Sequence, residues 1–169
     1  MSSMPARIIE ADTLETLAIV RRLFEEYAAV LEVDLGFQHF AEELAGLPGD
    51  YARPSGGLML GFDCSEPVGC VAFRPLEPGI AEMKRLYVRQ AARGGGWGRR
   101  LAERAVNDAR DAGYQRMRLD TLPAMRSAQR LYLALGFAEI APYRHNPVPS
   151  ARFLELDLRQ NLRPPLHAP

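Results

Sequence analysis

Lysine is almost missing from this chain of 169 residues; Lys84 stands alone. A nucleoside-triphosphate loop ends in Gly-Lys-Ser/Thr, and Lys84 lies upstream of the longest glycine run, so that class is excluded. Cysteine is scarce too. Cys64 and Cys70 are the two present, six positions apart in an expected hairpin. They are too few for a zinc centre, and residues 1–11 show no basic start followed by an apolar core, so both are expected to be reduced. His39, His145 and His167 are scattered without ligand spacing, and no metal is expected. Charge of one sign is absent: Lys plus Arg and Asp plus Glu are 21 each, so no global field draws nucleic acid or an anionic membrane. No apolar run approaches the roughly 18 residues of a membrane span. The expected location is the cytoplasm.

What is present is ordinary globular composition, 47% apolar and 25% charged, with neither an internal repeat nor a linker to divide it. A single domain over residues 1–169 is expected, with a core at about 6–158 and a tail from Leu162 that frays. A strand at about 7–11 leads to Asp12-Thr13-Leu14-Glu15, a capping box. Leu17, Val20, Phe24, Ala28 and Leu31 follow at helical spacing. Phe37, Phe40, Leu44 and Leu47 predict a second short helix closed by Pro48-Gly49. Strands at 57–63, 67–74 and 80–88 are separated by turn formers, which predicts antiparallel neighbours. Trp97, Leu101, Ala105, Val106 and Ala109 stripe a helix that stops at Gly113. A strand at 114–121, a helix opened by Pro123, and strands near 137–141 and 152–158 complete an α+β fold. Its sheet is mixed, mostly antiparallel, of about seven strands flanked by helices.

The most informative stretch is RGGGWGRR at 93–100. Glycine costs a helix about 1 kcal/mol relative to alanine, so Gly94, Gly95, Gly96 and Gly98 at a helix start imply that bare backbone is needed there. The first helical turn offers unpaired N–H groups and about half a positive charge, a ready anion site. Arg93, Arg99 and Arg100 add full charges. A dinucleotide fingerprint is broken, because the third small residue it requires is Arg99 or Leu101; only Asp120, about twenty residues on, fits a ribose-binding acid.

Arg93-x-x-Gly96-x-Gly98 at a strand–helix junction satisfies a third pattern. The stretch EMKRLYVRQAARGGGWGRRLAERAV (82–106) resembles the acetyl-CoA motif of the GNAT superfamily of N-acetyltransferases, the GCN5-related enzymes. SAQRLYLALGFAEI (127–140) is similar to that superfamily's following motif, with Tyr132 and Gly136-Phe137 in register. The resemblance implies the acyl-CoA N-acyltransferase fold and acetyl-CoA as co-substrate. It also implies an acetyl group passed directly to an amine of a small molecule or peptide in a ternary complex. The N–H groups of residues 94–99 would hold the pyrophosphate. The strand ending Leu86-Tyr87-Val88 would splay from the strand at 114–121 and bind the pantetheine amides. Trp97 is read as a core anchor rather than a base-stacking platform. Nucleic acid and membrane are not expected partners, and a homodimer is compatible with the sequence.

Chemistry narrows the candidates further. A lysine-like amine is neutral in about one molecule per thousand or fewer at pH 7, so a base or a desolvating pocket must act. By resemblance to the histone-acetylating branch, Glu82 is the candidate base, acting directly or through water; an ion pair with Lys84 or Arg85 is the alternative. Tyr132 matches the tyrosine that the superfamily aims at the thioester sulfur; packing beside Leu131 and Leu135 is its alternative. Met125 departs from the pattern, for many members carry asparagine there. Backbone N–H near Val88 would hold the acetyl oxygen. On the acceptor side Tyr143 and Asn146 are candidates to contact a small polar acceptor, although Asn146-Pro147 is also ordinary turn chemistry. The rival readings are an acyl-CoA-binding sensor without turnover, another acyl-CoA, and an O-linked acceptor.

Overall fold

The computed structural model describes residues 5–31 and 34–160. The tail beyond Leu162 therefore lies outside the described residues. β1 (Arg7–Glu10), β2 (Gly57–Asp63), β3 (Glu66–Glu77) and β4 (Ile80–Val88) form an antiparallel meander. The chain crosses through α3 (Trp97–Asp111) to β5 (Arg116–Thr121), which lies parallel to β4. β7 (Arg152–Asp157) pairs antiparallel with β5, and β6 (Ala138–Ile140) closes the edge, giving the order β1-β2-β3-β4-β5-β7-β6. The seven-stranded mixed sheet is the one the sequence predicts.

Strand alternation sorts the core into two layers. Met59, Val71, Phe73, Met83, Met117, Leu119 and Leu154 face α3 and α4 (Arg126–Ala134). Leu58, Leu60, Phe62, Cys70 and Ala72 face α1 (Leu14–Leu31), with Val20, Leu23 and Phe24 on that helix. α3 buries Leu101, Ala102, Ala105, Val106 and Ala109, and the three alanines let it lie close on the sheet.

Three local differences from the sequence reading have visible causes. The box at the start of α1 is built from Thr13 and Thr16 rather than Asp12 and Glu15. Thr16 N–H donates to Thr13 Oγ1 at 3.2 Å and Thr13 N–H to Thr16 Oγ1 at 3.0 Å. The second helix is shorter than its apolar spacing suggests: a 3₁₀ turn at Leu35–Gln38, with Gly36 N–H bonded to Asp34, precedes α2 (Phe40–Ala45). Phe37 belongs to that turn, but its side chain lies outside the described set. α4 begins at Arg126, not Pro123, because Leu122 C=O accepts both Met125 N–H (3.0 Å) and Gln129 Nε2 (2.7 Å), which ties Pro123-Ala124 into a turn.

Trp97 is 5% exposed and lies over Gly61 of β2, so it is a core anchor for α3. A Cβ on Gly61 would stand 2.9 Å from the indole, inside van der Waals contact. We expect Gly61→Ala to cost about 1–3 kcal/mol in urea unfolding. In a double-mutant cycle with Trp97→Phe, the smaller ring should recover part of that loss.

Candidate active site

Two residues of β4 oppose one of β3. Cys70 pairs with Tyr87 and Ala72 with Lys84, leaving Arg85 and Leu86 against Val71. Arg85 takes φ 59°, a left-handed conformation unusual for a side chain of its size. The bulge turns β4 away from β5. Their parallel pairing covers Ile80–Arg116, Ala81–Met117 and Glu82–Arg118 and then stops. From Met83 onward the β5-facing edge of β4 carries no strand. Leu86, Tyr87 and Val88 lie on this stretch, with Val88 C=O accepting from Arg93 Nε at 3.1 Å.

The glycine run closes one end of the split. Gly94 (φ 83°) and Gly96 (φ 80°) need positive φ, and Gly96 caps α3 without help from a side chain. Gly95 and Gly98 have no such need. A Cβ there would make ordinary contacts, 3.4 Å from Ala92 C=O and 3.6 Å from Leu131. Their bareness thus serves something other than the fold, and they stand where the first-turn N–H groups of Trp97, Gly98 and Arg99 point out of the helix. This cradle fits a phosphate-bearing ligand. The flanking cations fold back: Arg99 bonds Glu103 at 2.8 Å, and Arg100 lies 4.2 Å over the Trp97 ring.

A cavity occupies the gap between the parted strands. Tyr27, Met83, Lys84, Arg85, Leu86, Leu119, Asp120, Met125, Tyr132 and Asn146 contribute to its wall. Tyr132 is 5% exposed, packs edge-on to Phe137 at 5.7 Å and bonds no described residue through its hydroxyl. Burial pushes its phenol well above the ordinary range, so it keeps its proton. Met125 lines the same wall and offers no polar contact. Burial first, then Arg85, pushes the Lys84 ammonium down to about 8, against the opposing pull of Glu82 and Asp120.

Glu82 is fully buried, and both of its oxygens are engaged. Oε1 accepts from Arg74 Nε at 3.1 Å; Oε2 accepts from the Tyr143 hydroxyl at 2.7 Å and from Arg144. Oε2 thus carries two hydrogen bonds and Oε1 one, which leaves Oε1 the oxygen with acceptor capacity to spare. Burial would raise its carboxyl, but Lys84, Arg144, the Tyr143 hydroxyl and Arg74 outweigh burial and hold it below the usual range. Tyr143 and Asn146 are brought to the split by the loop between β6 and β7, and each is bonded to a protein carboxylate. Asn146 Nδ2 donates to Asp120 Oδ2 at 3.2 Å. Tyr143 and Arg144 also wall a groove of about 650 Å³ against α2, with Arg74, His39 and His145. Arg74 and Arg144 were not singled out from sequence, Lys84 was named at the site only as an ion-pair partner for Glu82, and Asp120 was noted only for a ribose. Strand alternation, which puts Arg118 and Asp120 on the face opposite Met117 and Leu119, is the signal that could have found Asp120.

The lowered Glu82 carboxyl ties stability to pH. Because its folded pKa lies below the unfolded one, its contribution is present above about pH 4.5 and lost as pH falls through the folded value. We expect Glu82→Gln to cost about 2–3 kcal/mol at neutral pH. That is less than for a wholly enclosed pair, because the Arg74 and Arg144 side chains keep 25% and 21% exposure. Urea titrations of both proteins from pH 7 to pH 3 should show the gap closing at the acid end.

Comparison with known proteins accords with this geometry. Residues 17–137 match the model of the acetyltransferase (GNAT) family. An uncharacterised N-acetyltransferase of Schizosaccharomyces pombe is 38% identical over 140 residues, covering 82% of this chain and 86% of that protein. One of Escherichia coli is 30% identical over 142 residues, covering 82% and 84%. Among solved structures, a GNAT-family acetyltransferase of Staphylococcus aureus superposes with a TM-score of 0.75 at 19% identity, covering 90% of this chain and 99% of that one. A protein of Salmonella typhimurium solved with its cofactor acetyl-CoA gives 0.66 at 22% identity, covering 95% and 98%. The chain belongs to the GNAT acetyltransferase family, and it is an acyltransferase.

Proposed function

We propose that this enzyme passes an acetyl group from acetyl-CoA directly to the amine of a small molecule or peptide, with both substrates bound together. The observation that carries this reading is the parting of β4 from β5 after Glu82, with the glycine cradle at one end of the gap and Tyr132 inside it. Acetyl-CoA supplies the acetyl group already activated as a thioester. The N–H groups of residues 94–99 hold its pyrophosphate, and Arg93 stands at the mouth of the cradle. The open edge of β4 at Leu86, Tyr87 and Val88 takes the pantetheine amides as a further strand would. A backbone N–H near Val88 steadies charge on the acetyl oxygen.

Tyr132 donates the proton that the leaving sulfur requires. Its raised pKa suits a donor that must arrive protonated. Glu82 is the base, acting directly or through water from Oε1, and a positioning residue through Oε2. Holding Tyr143 and Arg144, it sets the loop that covers the acceptor side.

The test is a thiol-release screen with acetyl-CoA across amino acids, polyamines, aminoglycosides and peptides, beside thermal shift with coenzyme A. Release with at least one amine class is expected. Tyr132→Phe should lower kcat about 10²-fold or more while leaving the coenzyme A shift unchanged. No shift with coenzyme A overturns the reading. A shift with silence toward every amine replaces it with a binding domain that does not turn over.

A further inference from the structure

We propose that Lys84 is itself an acetyl acceptor: with acetyl-CoA bound and no outside amine at hand, the enzyme acetylates its own Lys84, and the amide closes the site. This rests on the acetyl-transfer reading above and adds to it a modification site and a self-limiting step.

Three observations converge on Lys84. It is the one lysine of the chain, and the cations counted with it are all arginines. Arginine supplies charge but keeps its proton, whereas lysine can lose one and become a nucleophile. The single ε-amine of the chain thus stands where charge alone would have been met by arginine.

Its place along β4 is the second observation. Glu82 lies two residues before it on the same strand face, and the open edge at Leu86, Tyr87 and Val88 begins two residues after it. Lys84 pairs with Ala72, on the side of the sheet turned to α1, and lines the cavity that Tyr132 also walls. An acceptor nitrogen must stand between the base and the thioester, and that is the stretch of strand Lys84 occupies.

The third is the state of the amine. Burial first, then Arg85 and Arg74, pushes Lys84 down to about 8, against the opposing pull of Glu82 and Asp120. Tyr27 and Tyr132, on the cavity wall, keep their protons. At pH 8 about half of Lys84 is neutral, where an ordinary lysine is neutral in about one molecule in 250.

The step balances. The Lys84 ammonium gives one proton to water, and the freed lone pair forms the C–N bond as the C–S bond breaks. Tyr132 gives its proton to the sulfur and regains one from the nitrogen. Amine and thioester thereby give amide and thiol. An amide does not pass its acetyl group on as a thioester does. The acetylated side chain fills the acceptor's place and removes a positive charge beside Glu82 and Asp120.

The test needs no identified acceptor. Wild-type enzyme is incubated with acetyl-CoA alone at pH 8, and its intact mass and peptide map are followed. A gain of about 42 Da, one acetyl group, is expected on the peptide that carries Lys84, separate from any at the chain's α-amine. Its rate constant should not change on about tenfold dilution of the enzyme, as an intramolecular step requires. S-propyl-coenzyme A, which has no acetyl group to give, should suppress it. Fully modified enzyme, freed of donor, should keep less than about a tenth of its thiol release with its best amine, as loss of a positioned acceptor site implies. Lys84→Arg should gain no mass on that peptide and lose no activity over the same incubation; should that variant not fold, the wild-type map decides the site. Absence of the adduct, in enzyme that binds coenzyme A and releases thiol with an outside amine, overturns this inference alone. So does an adduct that forms as fast in urea or in the presence of S-propyl-coenzyme A, which is chemical acetylation only. A full adduct with undiminished release overturns the closing of the site. No thermal shift with coenzyme A overturns the acetyl-CoA reading, and this inference with it.

Discussion

The site depends on one slip of register. Arg85 and Leu86 stand against Val71 alone, and β4 leaves β5 after three paired residues. A non-glycine residue at φ 59° costs on the order of 1 kcal/mol or more and persists only where its surroundings fix it. Here they do. The Arg85 guanidinium bonds Glu43 of α2 at 2.9 and 3.2 Å and lies 5.1 Å from the Phe40 ring, while its carbonyl accepts from the buried Cys70 thiol. The bulge is therefore pinned from α2 on one side and β3 on the other. Backbone groups stripped of a strand need other partners. An extended ligand with amides of its own is the partner that suits a strand edge.

The same parting explains why two carboxylates on neighbouring strands have different environments. Glu82 occupies the last paired position and is sealed by Arg74, Tyr143 and Arg144. Asp120 lies just past that point, inside the gap. The loop between β6 and β7 is fastened to both, through Tyr143 and Arg144 on Glu82 and through Asn146 on Asp120. Whatever sets the width of the gap also sets the height of the loop above it.

Much of the glycine cradle was legible in the sequence because its signals are local. Gly94 and Gly96 announce positive φ, Gly95 and Gly98 announce close approach, and the helix that follows supplies its own N–H groups. None of this depends on distant residues. The meander and the crossover through α3 were equally plain, since turn formers and period-two alternation are local signals. The acceptor half was not. Arg74 on β3, Glu82 on β4, Asp120 on β5 and Arg144 in a late loop are brought together by tertiary structure. Nothing near Glu82 in the sequence says that Arg144, 62 positions on, will cap it. The bulge hid for a related reason, since EMKRLYV reads as an uninterrupted strand and only the pairing with β3 shows the extra residue.

Buried charge on β4 completes this account. Glu82, Lys84 and Arg85 are each at most 5% exposed, a dense set of ionisable groups for the middle of a sheet. Replacing such groups with well-packed apolar residues is often neutral or stabilising, so stability alone does not explain them. What they do is draw partners from outside the sheet. Arg85 reaches into α2, and Glu82, still paired with Arg118 of β5, draws in the loop before β7. The strand that carries these charges is the one whose edge opens onto the cavity.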